Sequence, residues 1–200
     1  INVDYYDQST VTENDEEKIL KSWGIKKDKK IILLPGRLTS WKGQELFIEA
    51  INLVNIELGY EAFYAVILGS DQGRDLYKKK LLRLSERHRL TNQIIFMKHS
   101  NNMAAAYKVS DIVVSSSIEP EAFGRVSVEA QSMEKLIIAS NIGGSTETVM
   151  DEKTGFLFES GNPKSLCKKI LKALTLDENL VKIIGKEGRK NIIKKFNVEK

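Results

Sequence analysis

The chain has 200 residues, of which 42% are apolar and 29% are charged. This length and composition allow one sizeable hydrophobic core and are typical of a soluble globular protein. The formal net charge is +4, because 31 basic residues are set against 27 acidic ones spread along the chain. Such mild basicity is compatible with an anionic ligand, and equally with an ordinary basic surface. No basic patch is interleaved with aromatic residues, which argues against nucleic-acid binding.

The cysteine content and the apolar runs narrow the class of protein further. The single cysteine, Cys167, excludes an internal disulfide framework and fits a reducing compartment. It lies at helical spacing among leucine and isoleucine residues, which favours a place in the core over a nucleophile. No apolar run approaches the ~18 residues of a membrane span, and the start lacks the features of a signal peptide. We therefore expect a cytoplasmic protein, and a piece of a longer one.

Short apolar runs alternate with amphipathic segments along the chain. Most of the runs are continuous, which is typical of strands buried on both faces of a parallel sheet. The six runs are residues 31–34, 63–68, 94–97, 112–116, 136–140 and 156–158. They predict a sheet of about six strands.

Helical patterns lie between these runs. Apolar residues at steps of three and four predict helices over about 47–58 and 76–84. A cap at Asn162 followed by Pro163 predicts a helix that reaches about Thr175, and another helix covers about 177–195. The alternation predicts an α/β fold, a Rossmann-like doubly wound parallel sheet with helices on both faces.

The first part of the chain stands apart from this alternation. Residues 1–25 contain a short helical pattern, about 13–23, that Gly24 ends. We expect this segment to be a lead-in from a missing N-terminal domain and residues 26–200 to form the binding domain. Doubly wound sheets bind ligands at the carboxyl ends of their strands, so the loops after the runs are the places for chemistry.

The loop after the first run carries two cations. Gly36 and Gly43 bracket Arg37 and Lys42, at a spacing that fits neither a Walker loop nor a dinucleotide fingerprint. An arginine fork, a lysine point charge and the N–H groups of a following helix suit a diphosphate. Two ordinary surface cations on a solvated loop are an equal alternative.

The loop after the run 112–116 carries two carboxylates. Glu121 precedes a predicted helix that turns at Gly124, and Glu129 lies inside that helix. Carboxylates beside phosphate-binding N–H groups are suited to a sugar or a ribose, because they can accept hydrogen bonds from its hydroxyls. The alternatives are an exposed loop acid at Glu121 and a partly buried partner of a lysine at Glu129.

The remaining candidate loops are less specific. Gly69, after the second run, permits close approach of the backbone to a ligand. Arg74 could reach a phosphate or a sugar, but we favour a place in a turn. The pair Gly143-Gly144 is compatible with an anion-binding concavity, but we favour a tight turn before a helix. His88 and His99 have no partners at metal-ligand spacing, so we expect surface or packing histidines and no metal site.

Taken together in chain order, these pieces resemble the C-terminal, donor-binding domain of glycosyltransferase family 4, the group 1 glycosyltransferases of GT-B architecture. The resemblance covers about residues 25–195 and is specific through the order and spacing of its parts. The matching pieces are Gly36-Arg37-Leu38 with Lys42-Gly43, Ile67-Leu68-Gly69, Ala106-Tyr107 with Ser110-Asp111-Ile112-Val113-Val114-Ser115, Glu121-Ala122-Phe123-Gly124 with Glu129-Ala130, Ala139-Ser140 with Gly143-Gly144 and Glu147, and Thr154-Gly155-Phe156-Leu157.

The resemblance implies a role for each matching position. Arg37 and Lys42 would contact the donor diphosphate, Glu121 the hydroxyls of the transferred sugar, and Glu129 the ribose hydroxyls. Arg37, Lys42 and Glu121 would be the catalytic residues. The other donor-binding positions would be Gly36, Gly69, Met97, Lys98, Phe123, Gly124, Arg125 and Val126, with Met97 and Lys98 near the nucleobase and Phe123 to Val126 contributing backbone groups.

The implied activity is transfer of a sugar from a nucleotide-diphosphate donor with retention of anomeric configuration and without a metal or other cofactor. The acceptor, a glycan or a lipid-linked glycan, would bind to the missing N-terminal domain. Any contact with the inner face of the cell membrane would be made by that domain as well. The isolated chain would be inactive, and the pattern looks most like bacterial lipopolysaccharide or capsule enzymes. A non-catalytic nucleotide or sugar-phosphate binding module is the alternative.

One departure from the family pattern lies before the fifth run. Glu134 and Leu136 occupy positions where the family usually has glycine and proline. We expect this to loosen a turn there.

Overall fold

A computed structural model describes residues 1–59 and 62–196 of the chain. Within them, six strands form one sheet in which all pairs are parallel. The strands are β1 (Lys30–Pro35), β2 (Phe63–Leu68), β3 (Ile94–Met97), β4 (Ile112–Ser115), β5 (Leu136–Ser140) and β6 (Phe156–Phe158). All six predicted strands are confirmed, with shifts of one residue at the ends of β1 and β4. Positions 60, 61 and 197–200 of the predicted domain lie outside the described residues.

Eight α-helices occur in the described part of the chain. They are α1 (Glu13–Trp23), α2 (Gln44–Leu58), α3 (Asp75–Arg87), α4 (Met103–Val109), α5 (Arg125–Ser132), α6 (Ser145–Thr148), α7 (Pro163–Thr175) and α8 (Glu178–Phe196). Side chains of α2, α3 and α7 form one core with one face of the sheet, whereas those of α1, α4 and α5 form a second core with the other face. The prediction of helices on both faces is confirmed, α6 follows the predicted turn at Gly143-Gly144, and α4 is additional.

Local sequence explains where several helices begin and end. Thr12 and Asp15 form a reciprocal capping box at the start of α1, and Gly24 ends that helix at φ +67°. The Asn162 side chain accepts from two N–H groups at the start of α7, where Pro163 is the first helical residue. Cys167 is buried in the core beneath α7, as its spacing predicted.

The strand order is β3-β2-β1-β4-β5-β6. The chain therefore moves outward from β1 through β2 to β3, returns to β4 on the other side of β1, and moves outward again. Because the connections after β1 and β4 leave in opposite directions, a crevice opens between the carboxyl ends of these two strands. The fold thus places the loops after β1 and β4 side by side.

Residues 1–25 pack against the sheet domain. Tyr6, Val11, Ile19, Trp23 and Ile25 are all buried in the core that α4 and α5 share with the sheet. The segment therefore contributes to the core of the domain. That another domain precedes it stays a prediction.

The turn between α5 and β5 is closed although the family glycine is replaced. Glu134 adopts φ +53° and its N–H bonds to the carbonyl of Gln131, while the N–H of Lys135 bonds to the carbonyl of Ala130. Left-handed backbone is costly for a residue with a side chain, which is the physical reason for glycine at this place. The expected looser turn is wrong, because the hydrogen bonds of the helix end are retained.

Candidate functional site

A cleft of about 570 Å³ lies at the carboxyl ends of β1 and β2, against the start of α5. Six of the predicted donor-site residues line it, namely Gly36, Arg37, Gly69, Arg125, Val126 and Glu129. Its other lining residues are Tyr6, Pro35, Leu68, Ser70, Gln72, His99, Met103 and Tyr107. The fold therefore brings residues from four predicted loops or helices into one concave surface.

The loops after β1 and β2 form one side of this cleft. The N–H of Gly36 bonds to the carbonyl of Leu68 at 2.9 Å, and the N–H of Leu38 to that of Ser70 at 3.0 Å. A Cβ at Gly69 would lie only 1.8 Å from the carbonyl oxygen of Gly36. Only glycine at position 69 lets these two loops approach each other this closely. This packing requirement is separate from the close approach to a ligand that the sequence predicted.

The loop after β1 is also joined to the loop after β4. Ser116 Oγ donates to the carbonyls of Lys42 and Gly43, each at 3.0 Å, and the N–H of Ile118 donates to the carbonyl of Trp41 at 2.8 Å. Gly43 has φ +72°, and a Cβ there would lie 1.9 Å from the Ser116 carbonyl oxygen. The contact fixes the cation-bearing loop against the loop that carries Glu121.

Lys42 and Glu121 meet across this junction. The Lys42 Nζ lies 2.7 Å from Glu121 Oε1, and the two side chains are only 14% and 16% exposed. Ser117 Oγ donates to the same carboxylate oxygen. A Cβ at Gly36 would lie 3.7 Å from Lys42 Cδ, so the lysine side chain passes over the glycine that lines the cleft. The pair therefore lies beside the cleft without lining it, and Glu121 is a largely buried, partnered carboxylate and not an exposed loop acid.

Arg37 lies at the exposed rim and is held less tightly than Lys42. Its guanidinium carbon is 5.9 Å from the ring centre of Trp41, and the Lys42 Nζ is 4.5 Å from the same ring. The carbonyl of Arg37 accepts a hydrogen bond from the Gln44 side chain at 2.8 Å. Among the described residues, Arg37 forms no ion pair. The indole of Trp41, which the sequence did not single out, thus orients both cations by cation–π contact.

Gly143 and Gly144 support the loop that carries Glu121. A Cβ at Gly143 would lie 2.7 Å from the backbone nitrogen and oxygen of Glu121, and one at Gly144 would lie 2.6 Å from the carbonyl carbon of Phe123. The N–H of Gly144 donates to the carbonyl of Glu121 at 2.7 Å. The turn favoured from the sequence is present, since Gly143 has φ +56°. Its further role, backbone contact with the Glu121 loop, was not visible in the sequence.

Glu129 is buried and firmly held. Its side chain accepts from the Tyr107 hydroxyl at 2.8 Å through Oε2 and from Arg125 Nη2 at 3.0 Å through Oε1. Glu129 is 6% exposed, and Tyr107 is fully buried. The alternative of a lysine partner is therefore wrong, because an arginine one helical turn earlier and a tyrosine from α4 hold the carboxylate.

The pKa values of the partners reflect this charge. Burial raises the pKa of the Tyr107 hydroxyl well above its ordinary value, and the negative charge of Glu129 raises it further. The hydrogen bond to Glu129 and its charge raise the pKa of the Arg125 guanidinium. Tyr107 is therefore a neutral donor and Arg125 a permanent cation, which leaves Glu129 as the acceptor in this cluster.

The start of α5 completes the wall of the cleft. Gly124 caps the helix at φ +68°. The first N–H groups of α5, those of Arg125 and Val126, have no acceptor within the helix and lie at its positive end. Phe123 is 40% exposed and its ring packs edge-on against that of Phe196 at 5.6 Å. The side chain of Arg125 is paired with Glu129. Its backbone N–H is therefore the part of Arg125 that fits the predicted role in donor binding.

After the third strand, His99 lines the cleft in place of Met97 and Lys98, which were expected there. The side chain of Met97 packs against the second core and its carbonyl accepts from the N–H of Gly69 at 2.9 Å, while Lys98 is exposed. Neither lines the cleft, whereas His99 does. We expected a surface or packing role for His99, and only its place after the third run could have suggested otherwise.

A second groove, of about 640 Å³, lies between α2 and α3 and has a basic wall that includes Lys79 and Arg83. It is larger than the cleft, but it contains none of the predicted donor-site residues. The cleft is the better candidate because the polar groups of four loops converge there at the crossover of the sheet.

Within residues 1–59 and 62–196, no group of three or more histidine, cysteine, aspartate or glutamate side chains is placed to hold a metal ion. None of the helices in these ranges is both long enough and apolar enough to cross a membrane.

The strand order, the crossover cleft and its cations define a Rossmann-like domain of the kind that binds nucleotides. The chain belongs to the glycosyl transferases group 1 family, whose model matches residues 15–191. It is 30% identical over 182 residues to the capsular polysaccharide biosynthesis glycosyltransferase CapM of Staphylococcus aureus, covering 91% of this chain and 45% of that protein. The chain thus spans about half the length of the relatives it matches.

Solved structures agree with this assignment. A glycosyltransferase from Rickettsia africae superposes with a TM-score of 0.92 at 35% identity, over 98% of this chain and 51% of that one. Anabaena Alr3699/HepE, solved in complex with UDP-glucose, superposes with a TM-score of 0.87 at 25% identity, over 98% of this chain and 52% of that one. The α/β fold and its membership of the GT-B architecture are therefore confirmed.

Proposed function

We propose that this chain is the donor-binding half of a retaining glycosyltransferase that takes a sugar from a nucleotide-diphosphate donor. The observation that carries the proposal is that Arg37 and Glu129 line one cleft at the crossover of the sheet, with the Lys42–Glu121 pair beside it. Membership of the group 1 family and the UDP-glucose complex of Anabaena HepE support it.

The donor would lie along the cleft with its diphosphate over the start of α5. Arg37, Lys42 and the N–H groups of Arg125 and Val126 would surround the phosphates. Positive groups there stabilise the charge that grows on the diphosphate as the bond between the anomeric carbon and the phosphate oxygen breaks. These groups therefore favour departure of the nucleoside diphosphate.

The two carboxylates would divide the hydroxyls of the donor between them. Glu129 faces the cleft from a buried position, and we assign it the ribose hydroxyls, which can donate to the carboxylate lone pairs that Tyr107 and Arg125 leave free. Glu121, at the border beside Lys42, would accept from hydroxyls of the transferred sugar. The bond to the acceptor would stand on the face that the phosphate leaves, so the anomeric configuration would be retained, whether through a covalent intermediate or by same-face attack.

The wider setting of the reaction is part of the same proposal. The acceptor, a glycan or lipid-linked glycan of bacterial capsule or lipopolysaccharide assembly, would bind a domain that precedes residue 1, where any contact with the inner face of the cytoplasmic membrane would also lie. Relatedness to a capsular polysaccharide enzyme supports capsule assembly. The chain by itself would bind donor without transferring sugar, and no metal would be needed.

Calorimetric titration with UDP, GDP, ADP and their sugar conjugates tests donor binding. We expect one preferred nucleotide, weaker binding of it by Glu129→Ala, and loss of discrimination among sugars in Glu121→Ala. Glu119→Ala is the matched control, because Glu119 is an exposed acid of the same loop. Absence of nucleotide binding at millimolar concentration, in this chain and in the full-length protein, would refute the proposal.

Transfer itself is tested on the full-length protein, with the anomeric configuration of the product read by NMR. Retention is the expected result. Nucleotide binding without any transfer would instead favour a non-catalytic binding module.

A further inference from the structure

The first residues of the chain form a strap across the end of the domain that carries the cleft. We define the strap as residues 1–12. Arg189 of α8 donates to the Tyr6 carbonyl at 2.9 Å and pairs with the Asp7 carboxylate. Gln8 donates to the Met133 carbonyl at 2.9 Å. These contacts seat the strap against both α5 and α8.

Tyr6 is the residue of the strap that reaches the cleft. It is 8% exposed, lines the cleft together with Glu129, and packs its ring edge-on against that of Tyr107 at 6.0 Å. Burial raises the pKa of its hydroxyl, and the negative charge of Glu129 raises it further. The Tyr6 hydroxyl is therefore a neutral donor beside the Glu129 carboxylate.

We infer that Tyr6 is a positioning residue of the donor site. From the strap, it holds the Glu129 carboxylate in the position that receives the ribose hydroxyls. The inference rests on the proposed function, since it concerns the group that Glu129 would bind. Tyr107 and Arg125 approach the carboxylate from α4 and α5. Tyr6, which belongs to the strap, adds a third polar group on the side of the cleft that Glu129 lines.

This arrangement ties ribose recognition to the seating of the strap. Arg189 Nη1 donates to the carbonyl of Ser132 at the end of α5 as well as to that of Tyr6. The same guanidinium thus connects the strap to the helix that carries Glu129. Displacement of the strap withdraws Tyr6 from the carboxylate without changing the sheet.

Selectivity for ribose is the readout that separates positioning from general stability. The affinity of the chain for UDP and for 2′-deoxy-UDP is measured by calorimetry, together with the thermal midpoint of each variant. A carboxylate held for a ribose hydroxyl favours UDP, and a loosened carboxylate loses that preference. We expect Tyr6→Phe to lower the UDP preference by about threefold or more, since the polar group that the strap contributes beside Glu129 is lost.

Matched variants give the comparison its controls. Tyr5→Phe is the control, because Tyr5 is adjacent in the strap and 41% exposed, and it should leave the preference unchanged. Glu129→Gln should abolish the preference. Asp7→Asn, which weakens the Arg189 anchor, should lower it in the same direction as Tyr6→Phe.

Each result bears on one statement. A normal UDP preference in Tyr6→Phe, with the preference abolished in Glu129→Gln, would overturn the inference and leave the proposed function standing. An unchanged preference in Asp7→Asn would overturn the dependence on the strap. If the unmodified chain and the full-length protein bind no nucleoside diphosphate, UDP, GDP and ADP included, the proposed function fails and the inference fails with it.

Discussion

The ammonium of Lys42 lies 2.7 Å from the carboxylate of Glu121, although the two residues belong to loops after different strands. Their pairing neutralises a carboxylate at the border of a cleft that is expected to take an anion. Lys42 therefore has two effects on a bound diphosphate. It attracts the phosphates directly, and it masks the repulsion that Glu121 would otherwise exert.

The first prediction concerns this pair. Lys42→Ala should weaken nucleoside diphosphate binding by about tenfold or more, because a charge-assisted contact is lost and Glu121 is left unpaired. Lys42→Ala combined with Glu121→Gln should recover part of that affinity, since the repulsive charge is removed as well. Calorimetry on the single and double variants measures both effects. Lys30→Ala is the control, because Lys30 pairs with Asp111 at the other end of β1. A double variant that binds no better than Lys42→Ala would contradict the masking role.

The second prediction concerns the glycines beneath the Glu121 loop. Gly143→Ala should displace this loop, because the new Cβ would lie 2.7 Å from two backbone atoms of Glu121. We expect the contribution of the sugar to donor affinity to be lost while nucleoside diphosphate binding is largely kept. Gly161→Ala is the control, since Gly161 also has positive φ, +75°, but no atom within 4 Å of the added Cβ. Equal sugar binding in both variants would show that the close contact does not position the loop.

The third prediction concerns the buried carboxylate of Glu129. Tyr107→Phe removes a hydroxyl that donates to Glu129 at 2.8 Å. It should lower the free energy of unfolding by about 1–2 kcal/mol, because a buried charged acceptor loses one of its donors. Urea denaturation measures this. Tyr64→Phe is the control: its half-buried hydroxyl has no hydrogen-bond partner among the described residues, so a change within about 0.5 kcal/mol is expected. Equal stability of the two variants would contradict the role of Tyr107.

The fourth prediction concerns pH and the buried Lys135. Burial lowers the pKa of its ammonium from 10.5 to about 8, while the carboxylates of Asp111 and Glu16 act against this and Lys27 and Lys108 act with it. Between the folded and unfolded pKa values the unfolded chain binds more protons, so stability rises with pH from about 8 upward. Below that range both states are protonated, and Lys135 causes no slope.

Lys135→Met should remove this rise. Denaturation at several pH values between about 7 and 9.5 should show a gain of roughly 1–2 kcal/mol for the unmodified chain and a flatter curve for the variant. The window stops short of the range in which tyrosines ionise. Lys153→Met, an exposed lysine, is the control and should keep the rise. Parallel curves for the unmodified chain and Lys135→Met would contradict a depressed pKa at this position.

Local patterns in the sequence predicted the strands and most of the helices, α4 excepted. The continuous apolar runs predicted all six strands, since a strand buried on both faces needs no polar residue. Gly24 predicted the end of α1 and Asn162 the start of α7, because each satisfies backbone groups within one turn of itself. Spacing alone made Arg37, Lys42, Glu121 and Glu129 only a plausible site, whereas the resemblance of all the motifs in chain order predicted the group 1 family, to which the chain belongs.

Only the tertiary structure decided which of these residues meet. The position of β4 beside β1 brings Lys42 to Glu121, presses Gly43 against Ser116, and leaves Gly143 beneath the Glu121 loop. The folded strap brings Tyr6 into the cleft that Glu129 lines, which no local pattern in the sequence predicted. Periodicity and capping report on neighbours within a turn or a strand, whereas contacts between distant loops depend on the order of the strands and on the path of the chain across the sheet.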